Sequence, residues 1–429
     1  MTKILLTGGH LTPALATIDY LQKHYHYQLV FAGRQIAQSQ TGQLAREKSE
    51  VLKRGIKFID FTATKSDNFS LLLWRKSIIQ AEQILRSEKV TLLLSFGGYL
   101  ALPFAIAAKK LHLAIVTHEQ TAVFGKANRA INLLADYCGV AFKHLVKANQ
   151  TKIQYTGNPL RAELFASQPQ CPQWFKSATC PLPWIYISGG SQGSQTINRH
   201  VLNILAQLSR DFVIVHQCGS GSAHYHPQEE TAQFLRQNNY HLPHYYQREY
   251  LSASELAYFY PRFAFAISRS GANSVSEFMA FNLCCLYIPL PQANYREQER
   301  NALTLVEKQA SLLLLQKDLN SLNLLEKIYQ LADNYQQYRA KLQALEVDLL
   351  GAERLAKLVE ITLCKRATLP KKPHQKNKCG WLNTVLTYLK LPDNHQPHLK
   401  SLSSTKQNKY LIRENKIHKL DDLVFPVSH

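Results

Sequence analysis

Three glycine pairs stand where chemistry on an anion could be done. "TGGH" (7–10), "FGGY" (96–99) and "SGGSQG" (188–193) each follow an apolar run and precede a helical pattern. Glycine lets a chain turn tightly and bring its backbone close to a ligand. The helix start beyond such a turn presents unpaired N–H groups and the positive end of the helix dipole, which suits a phosphate. One loop of this kind is weak grounds for a phosphate site. Three in one chain point to an anionic ligand held in a cleft. The common nucleotide motifs are missing: "TGGHLTPA" lacks the spacing and third glycine of the dinucleotide fingerprint, and no Gly-x-x-x-x-Gly-Lys-Ser/Thr loop occurs. Nicotinamide chemistry and ATP hydrolysis are therefore poor expectations.

The elements that must position these loops alternate between strand and helix. Strand-like runs lie at 4–6, 28–33, 57–61, 90–96, 113–120 and 137–142, with helical patterns from Pro13, over 70–88, after Pro103 and over 126–136. The pattern restarts at "PLPWIYIS" (181–188) and continues through runs at 212–219, 263–268, 284–290 and 310–315. Near-continuous apolar strands separated by helices predict parallel sheets covered on both faces. The expected fold is α/β, with doubly wound Rossmann-like domains over 1–160 and 180–340 that face each other across a cleft. A C-terminal helix at 341–364 is expected to pack back on the first domain, and 365–429 forms a basic tail expected to be disordered. Open parallel sheets bind ligands beyond the carboxyl ends of their strands, which is where all three glycine loops fall.

Composition narrows the partners. The chain has 429 residues and a formal charge of +20, of which the tail supplies 13 − 4 = +9. Such a charge suits nucleic acid, a membrane surface or a phosphorylated substrate, and charge alone does not choose. The eight cysteines form no CxxC pair and no metal-ligand spacing, so reduced thiols are expected and a metal site is not. No apolar run approaches the ~20 residues of a membrane span, and the N-terminus is too short in apolar residues for a signal peptide.

Seven segments carry a resemblance. "TGGHLTPALA" (7–16), "FGGYLALP" (96–103), "HEQTAVFGKANR" (118–129), "TGNPLR" (156–161), "GGSQGSQTIN" (189–198), "SRSGANSVSEF" (268–278) and "QERNA" (298–302) occur in order over residues 1 to about 360. In these the chain resembles the MurG-type glycosyltransferases, peripheral membrane enzymes that complete lipid II in peptidoglycan synthesis. The resemblance implies a GT-B fold and inverting, metal-independent transfer of GlcNAc from UDP-GlcNAc to undecaprenyl-diphospho-MurNAc-pentapeptide. It implies no cofactor, and no nucleic acid is expected as a partner.

The resemblance also implies roles for residues. Ser191 would face the UDP phosphates, and Arg161 would contact the donor. Ala272, Asn273, Ser274, Val275, Ser276 and Glu277 would form the loop and helix start under the nucleotide, with the Glu277 carboxylate accepting from the ribose hydroxyls. Gln298 would hold hydroxyls of the GlcNAc ring, and Leu251 matches a further donor contact. Thr7, Gly8 and Gly9 would meet the donor sugar and the acceptor diphosphate, with Gly97, Gly98 and Tyr99 lining the acceptor side. The attacking hydroxyl needs a base. His10 is the first candidate and Glu119 the second, with His118 structural or phosphate-facing.

The chain departs from the family pattern at Leu5 and Leu6, where glycines are usual, and at Thr121, where the family has Asn. At Glu297 it has a carboxylate in place of His or Gln, which would repel a diphosphate unless Arg296 or Arg300 neutralises it. Two segments could meet an anionic membrane: "NFSLLLWRKSII" (68–79), with Leu71 to Trp74 beside Arg75 and Lys76, and an amphipathic pattern at 380–391. The other functions weighed are a glycolipid synthase acting on diacylglycerol, a UDP-sugar epimerase of the same build, and a non-catalytic nucleic-acid-binding protein.

Overall fold

A computed structural model describes residues 2–34, 46–62, 71–147, 151–190, 193–222, 224–345, 347–368, 410–413 and 416–419. The first domain runs β1 (Lys3–Thr7), α1 (Leu11–His24), β2 (Gln28–Gly33), α2 (Arg46–Lys53), β3 (Lys57–Asp60), α3 (Leu71–Ser87), β4 (Leu92–Ser95), α4 (Ala101–Lys110), β5 (Ala114–Glu119), α5 (Lys126–Leu134), β6 (Tyr137–Val140) and β7 (Ile153–Tyr155). The second runs β8 (Trp184–Ser188), α6 (Gln195–Asp211), β9 (Val213–Gln217), α7 (Pro227–Gln237), β10 (Tyr245–Arg248), α8 (Ala253–Phe259), β11 (Phe263–Ser268), α9 (Ala272–Ala280), β12 (Cys285–Tyr287), α10 (Glu297–Val306), β13 (Leu312–Leu313) and α11 (Ser321–Gln343). The helix α12 (Gly351–Thr368) follows.

The strands make two parallel sheets, ordered β3-β2-β1-β4-β5-β6-β7 and β10-β9-β8-β11-β12-β13. The central strands are fully buried because helices cover both faces: Leu92–Ser95 and Trp184–Ser188 carry no exposed residue. In each sheet the order reverses between neighbouring strands, β1 and β4 in one, β8 and β11 in the other. Chains leaving such a pair diverge to opposite faces and open a crevice at the carboxyl edge. The glycine loops leave β1, β4 and β8, so the topology sets them at these crevices.

The polypeptide returns to its first half at the end. Leu355, Ala356, Leu358 and Val359 of α12 are buried in one cluster with Ile4, Leu6, Ala14 and Ile18. Arg366 donates to Asp136 at 2.7 Å, on the turn before β6. The strand expected over 310–315 shrinks to Leu312–Leu313, an edge strand paired on one side only. Most of the tail, with the amphipathic pattern at 380–391, lies outside the described residues; within it Tyr410–Arg413 and Lys416–Lys419 pair antiparallel.

Trp74 does not belong to a membrane wedge. It is buried with Phe61 and Phe104 in the first domain's core, because the helical period that exposes Leu73 and Arg75 turns Trp74 inward.

Candidate active site

A cleft of about 600 Å³ lies between the sheets. Its floor is the carboxyl edge of the second sheet, and His10, Thr12, Gln120 and Thr121 of the first domain close one side.

The loop after β8 is built for close approach. Gly190 and Gly193 have φ of +84° and +77°, where a side chain would be strained. A Cβ on Gly193 would lie 2.1 Å from the Cys218 carbonyl oxygen. Ser194 then caps α6, its hydroxyl accepting from the Ile197 N–H at 3.4 Å. The Gln217 amide donates to the Gly190 carbonyl at 3.2 Å and accepts from the Leu251 N–H at 3.0 Å, so one side chain ties two walls together. Ser191 lies outside the described residues. Leu251 lines the cleft but is fully buried, with its N–H taken by Gln217.

Opposite this loop, α9 brings Glu277 to the cleft. One carboxylate oxygen accepts from Arg161 at 3.0 Å and the other from the Tyr260 hydroxyl at 2.8 Å. A carboxylate has about four acceptor sites, so room remains for a diol. Burial lowers the Arg161 pKa, but the Glu277 charge outweighs it and holds the guanidinium above its ordinary value. Ala272, Asn273 and Ser274 line the cleft. Val275 and Ser276 do not: Val275 packs in the core and Ser276 accepts from the Asn158 amide at 3.2 Å, because the helical turn faces both away from the opening.

The first-domain loops reach the cleft less than expected. Thr7 is fully buried. A Cβ on Gly8 would strike the Glu47 carboxylate, and one on Gly9 would lie 2.4 Å from the Gly97 carbonyl oxygen. The two glycine loops therefore pack on each other, with Gly97 and Gly98 at φ of +75° and +78°. Tyr99 stacks under the Arg34 guanidinium, 5.1 Å from ring centre to Cζ. His10, at the start of α1, lines the cleft; burial lowers its pKa to about 4, which leaves the ring neutral at pH 7. His118 is also lowered to about 4, first by burial, and its Nε2 bonds the Gly157 carbonyl at 3.0 Å, a structural position.

Glu119 sits behind the wall. Its oxygens accept from the Thr121 N–H and hydroxyl, the Gly125 N–H and the Asn128 amide. The Thr121 hydroxyl is shared with the Val123 carbonyl at 2.5 Å, and these bonds together fix the 121–125 turn. Thr121, in place of the family's Asn, lines the cleft with its hydroxyl held by Glu119.

Among the described residues neither Arg296 nor Arg300 forms an ion pair with Glu297, and Arg296 pairs with Glu299. Instead burial, and then the Glu119 charge, push the Glu297 carboxyl up to about 7. Below pH 7 it is neutral and tolerates an anion; above pH 7 it ionises. Donor affinity is expected to fall as pH rises from 7 to 9, and Glu297→Gln should flatten that fall when titrated with UDP-sugar. Gln298, beside it in the cleft, accepts from the Leu290 N–H at 3.0 Å. Sequence reasoning missed Ser194, Gln217, Tyr250, Tyr260 and Arg269, all in the lining. For most of these no signal was at hand, but Arg269 follows directly on a buried strand.

Two parallel-sheet domains facing across a cleft, with a strand–glycine loop–helix on the second, have the architecture of the GT-B fold. Residues 7–137 match the glycosyltransferase family 28 N-terminal domain and 184–359 the family 28 C-terminal domain. The chain belongs to glycosyltransferase family 28. It is 30% identical to the UDP-N-acetylglucosamine–N-acetylmuramyl-(pentapeptide) pyrophosphoryl-undecaprenol N-acetylglucosamine transferase of Clostridium tetani, over 78% of this chain and 91% of that one. The enzyme of the same name from Clostridium perfringens is 28% identical, over 81% and 94%. Among solved structures, Acinetobacter baumannii MurG superposes with a TM-score of 0.63 at 22% identity, over 84% of this chain and 100% of that one. UDP-GlcNAc 2-epimerase of Neisseria meningitidis shares the fold at a TM-score of 0.55 and 15% identity, over 85% and 100%.

Proposed function

We propose that this chain is the N-acetylglucosaminyltransferase of lipid II synthesis. It moves GlcNAc from UDP-GlcNAc to the MurNAc hydroxyl of a polyprenyl-diphosphate-linked MurNAc-pentapeptide. The observation that carries the reading is one cleft in which a strand–glycine loop–helix of the second domain faces a neutral histidine of the first. Family membership and the names of the relatives support the donor and the acceptor.

In this reading the Gly189–Ser194 loop holds the diphosphate and Glu277 accepts from the ribose diol. Gln298 orients the sugar with its anomeric carbon toward His10. The acceptor hydroxyl attacks that carbon with inversion. The bond from the carbon to the β-phosphate oxygen breaks and its electron pair leaves on UDP. The hydroxyl proton passes to His10. The Glu119-braced turn at 121–125 shapes the acceptor side.

The test is transfer from labelled UDP-GlcNAc to a short-chain polyprenyl-diphospho-MurNAc-pentapeptide or to diacylglycerol. Label on the pentapeptide lipid is expected. Label on diacylglycerol alone would make the chain a different glycolipid synthase. Turnover of UDP-GlcNAc with no lipid present would make it an epimerase.

We further place the enzyme on the cytoplasmic face of the cell membrane, at an anionic lipid surface. Among the described residues no helix is long and apolar enough to cross a membrane. On α3, Leu73 and Ile79 are 46% and 54% exposed beside the exposed Arg75 and Lys76. Apolar side chains flanked by bases suit an anionic interface. Replacing Leu73 and Ile79 by serine should weaken binding to phosphatidylglycerol vesicles by about tenfold or more in a sedimentation assay.

A further inference from the structure

Arg161 was the arginine expected to contact the donor, but its charge is already matched by Glu277 at 3.0 Å. Among the described residues of the cleft, the arginine without a carboxylate partner is a different one. Arg269 follows β11 at the crevice between β8 and β11, lines the cleft, and is only 6% exposed. Its Nη1 donates to the carbonyls of Ile288 and Pro289, both at 3.0 Å. Its Nη2 donates to the Ser194 hydroxyl at 2.8 Å and the Gln316 amide oxygen at 2.6 Å. All four acceptors are neutral. No Asp or Glu pairs with Arg269 among the described residues.

A buried charge held only by neutral dipoles is costly, and breaking or omitting its counter-ion normally destabilises a fold by several kcal/mol. The arrangement becomes favourable when an anion arrives. Here the candidate anion is the one the adjoining loop is shaped for, since Arg269 grips the very serine that caps α6 and ends that loop. Four hydrogen bonds fix the guanidinium, so it needs no reorganisation as charge develops on a leaving diphosphate.

We propose that Arg269 is the fixed counter-charge for the diphosphate of the nucleotide sugar, acting on it through Ser194. Arg269 is thus a positioning residue that stabilises the departing nucleoside diphosphate. The inference rests on the donor reading above.

The experiment measures uridine and UDP affinity by calorimetry, with kcat, on the full chain and on Arg269→Met and Arg269→Lys. Wild type should bind UDP far more tightly than uridine. Arg269→Met should leave uridine affinity within about twofold and weaken UDP by tenfold or more, with kcat down by about a hundredfold. Lysine restores charge without the four-way fork, so Arg269→Lys should regain most of the UDP affinity. The proposal is overturned if Arg269→Met keeps the wild-type ratio of UDP to uridine affinity. It is also overturned if both affinities fall together, or if Arg269→Lys is as weak as Arg269→Met, since Arg269 is then scaffold only. A wild-type chain that binds uridine and UDP equally would overturn the donor reading itself.

Discussion

Glu277→Ala is expected to raise the KM for UDP-GlcNAc by about a hundredfold, the loss of one or two hydrogen bonds to a charged acceptor. The physical reason is more than a missing contact. Glu277 holds Arg161 at 3.0 Å and Tyr260 at 2.8 Å, and all three sit at the cleft wall. Alanine leaves a largely buried guanidinium unpaired, a defect that costs about 3–5 kcal/mol when it occurs in a protein interior. A fall in melting temperature should therefore accompany the KM effect. The two consequences separate with a second donor. Wild type should discriminate against UDP-GlcNAc with a 2′-deoxyribose, and Glu277→Ala should treat both donors alike. A variant that still discriminates would remove Glu277 from ribose recognition and leave it a structural ion pair.

His10→Ala should lower kcat by about 10²–10⁴-fold while the donor KM moves little, the span usual for losing a general base. The pH dependence is the sharper sign of this residue. An ordinary histidine base loses activity as pH falls through about 6.5. His10 has its pKa lowered to about 4 by burial, so its base form persists down to that pH. The acid limb of kcat should lie near pH 4–5, and the rate should hold between pH 8 and 6. A limb at 6.5 would mean that another histidine, or an opened site, supplies the base. Glu119→Gln tests the contrast. It should loosen the 121–125 turn and lower stability without moving the limb, because the carboxylate is engaged by the Thr121 and Gly125 N–H groups and the Asn128 amide.

The two-sheet architecture was legible because its central strands are long, apolar and buried on both faces. "VTLLLSF" and "FAFAIS" can hardly be anything else, and both fall where expected. Two of the edge strands were not, although those expected at 57–61 and 310–315 were found. Ile153–Tyr155 and Tyr245–Arg248 pair on one side only, are short, and carry polar residues, so nothing in their composition marks them. The glycine loops were legible as backbone devices, because the positive φ at Gly97, Gly98, Gly190 and Gly193 favours glycine. What each loop faces was not. Gly8 and Gly9 read like a ligand contact but pack against Glu47 and the second glycine loop. Charge compensation was also hidden. In sequence Arg161 and Arg269 are alike; only tertiary distance shows that one is paired with Glu277 while the other has neutral acceptors alone. Helical phase explains Val275 and Trp74, which belong to motifs by spacing and to the interior by direction, and Ser276, which turns to the Asn158 amide.

Crystals of the full chain soaked in UDP test the central claim most directly, that the second domain's loops hold the donor in the cleft between the sheets. The diphosphate should lie on the Gly189–Ser194 turn, within hydrogen-bonding reach of its N–H groups, with both ribose hydroxyls at the Glu277 carboxylate. Density for the nucleotide on the first domain's loops at Gly8 and Gly97, or outside the cleft altogether, would contradict it.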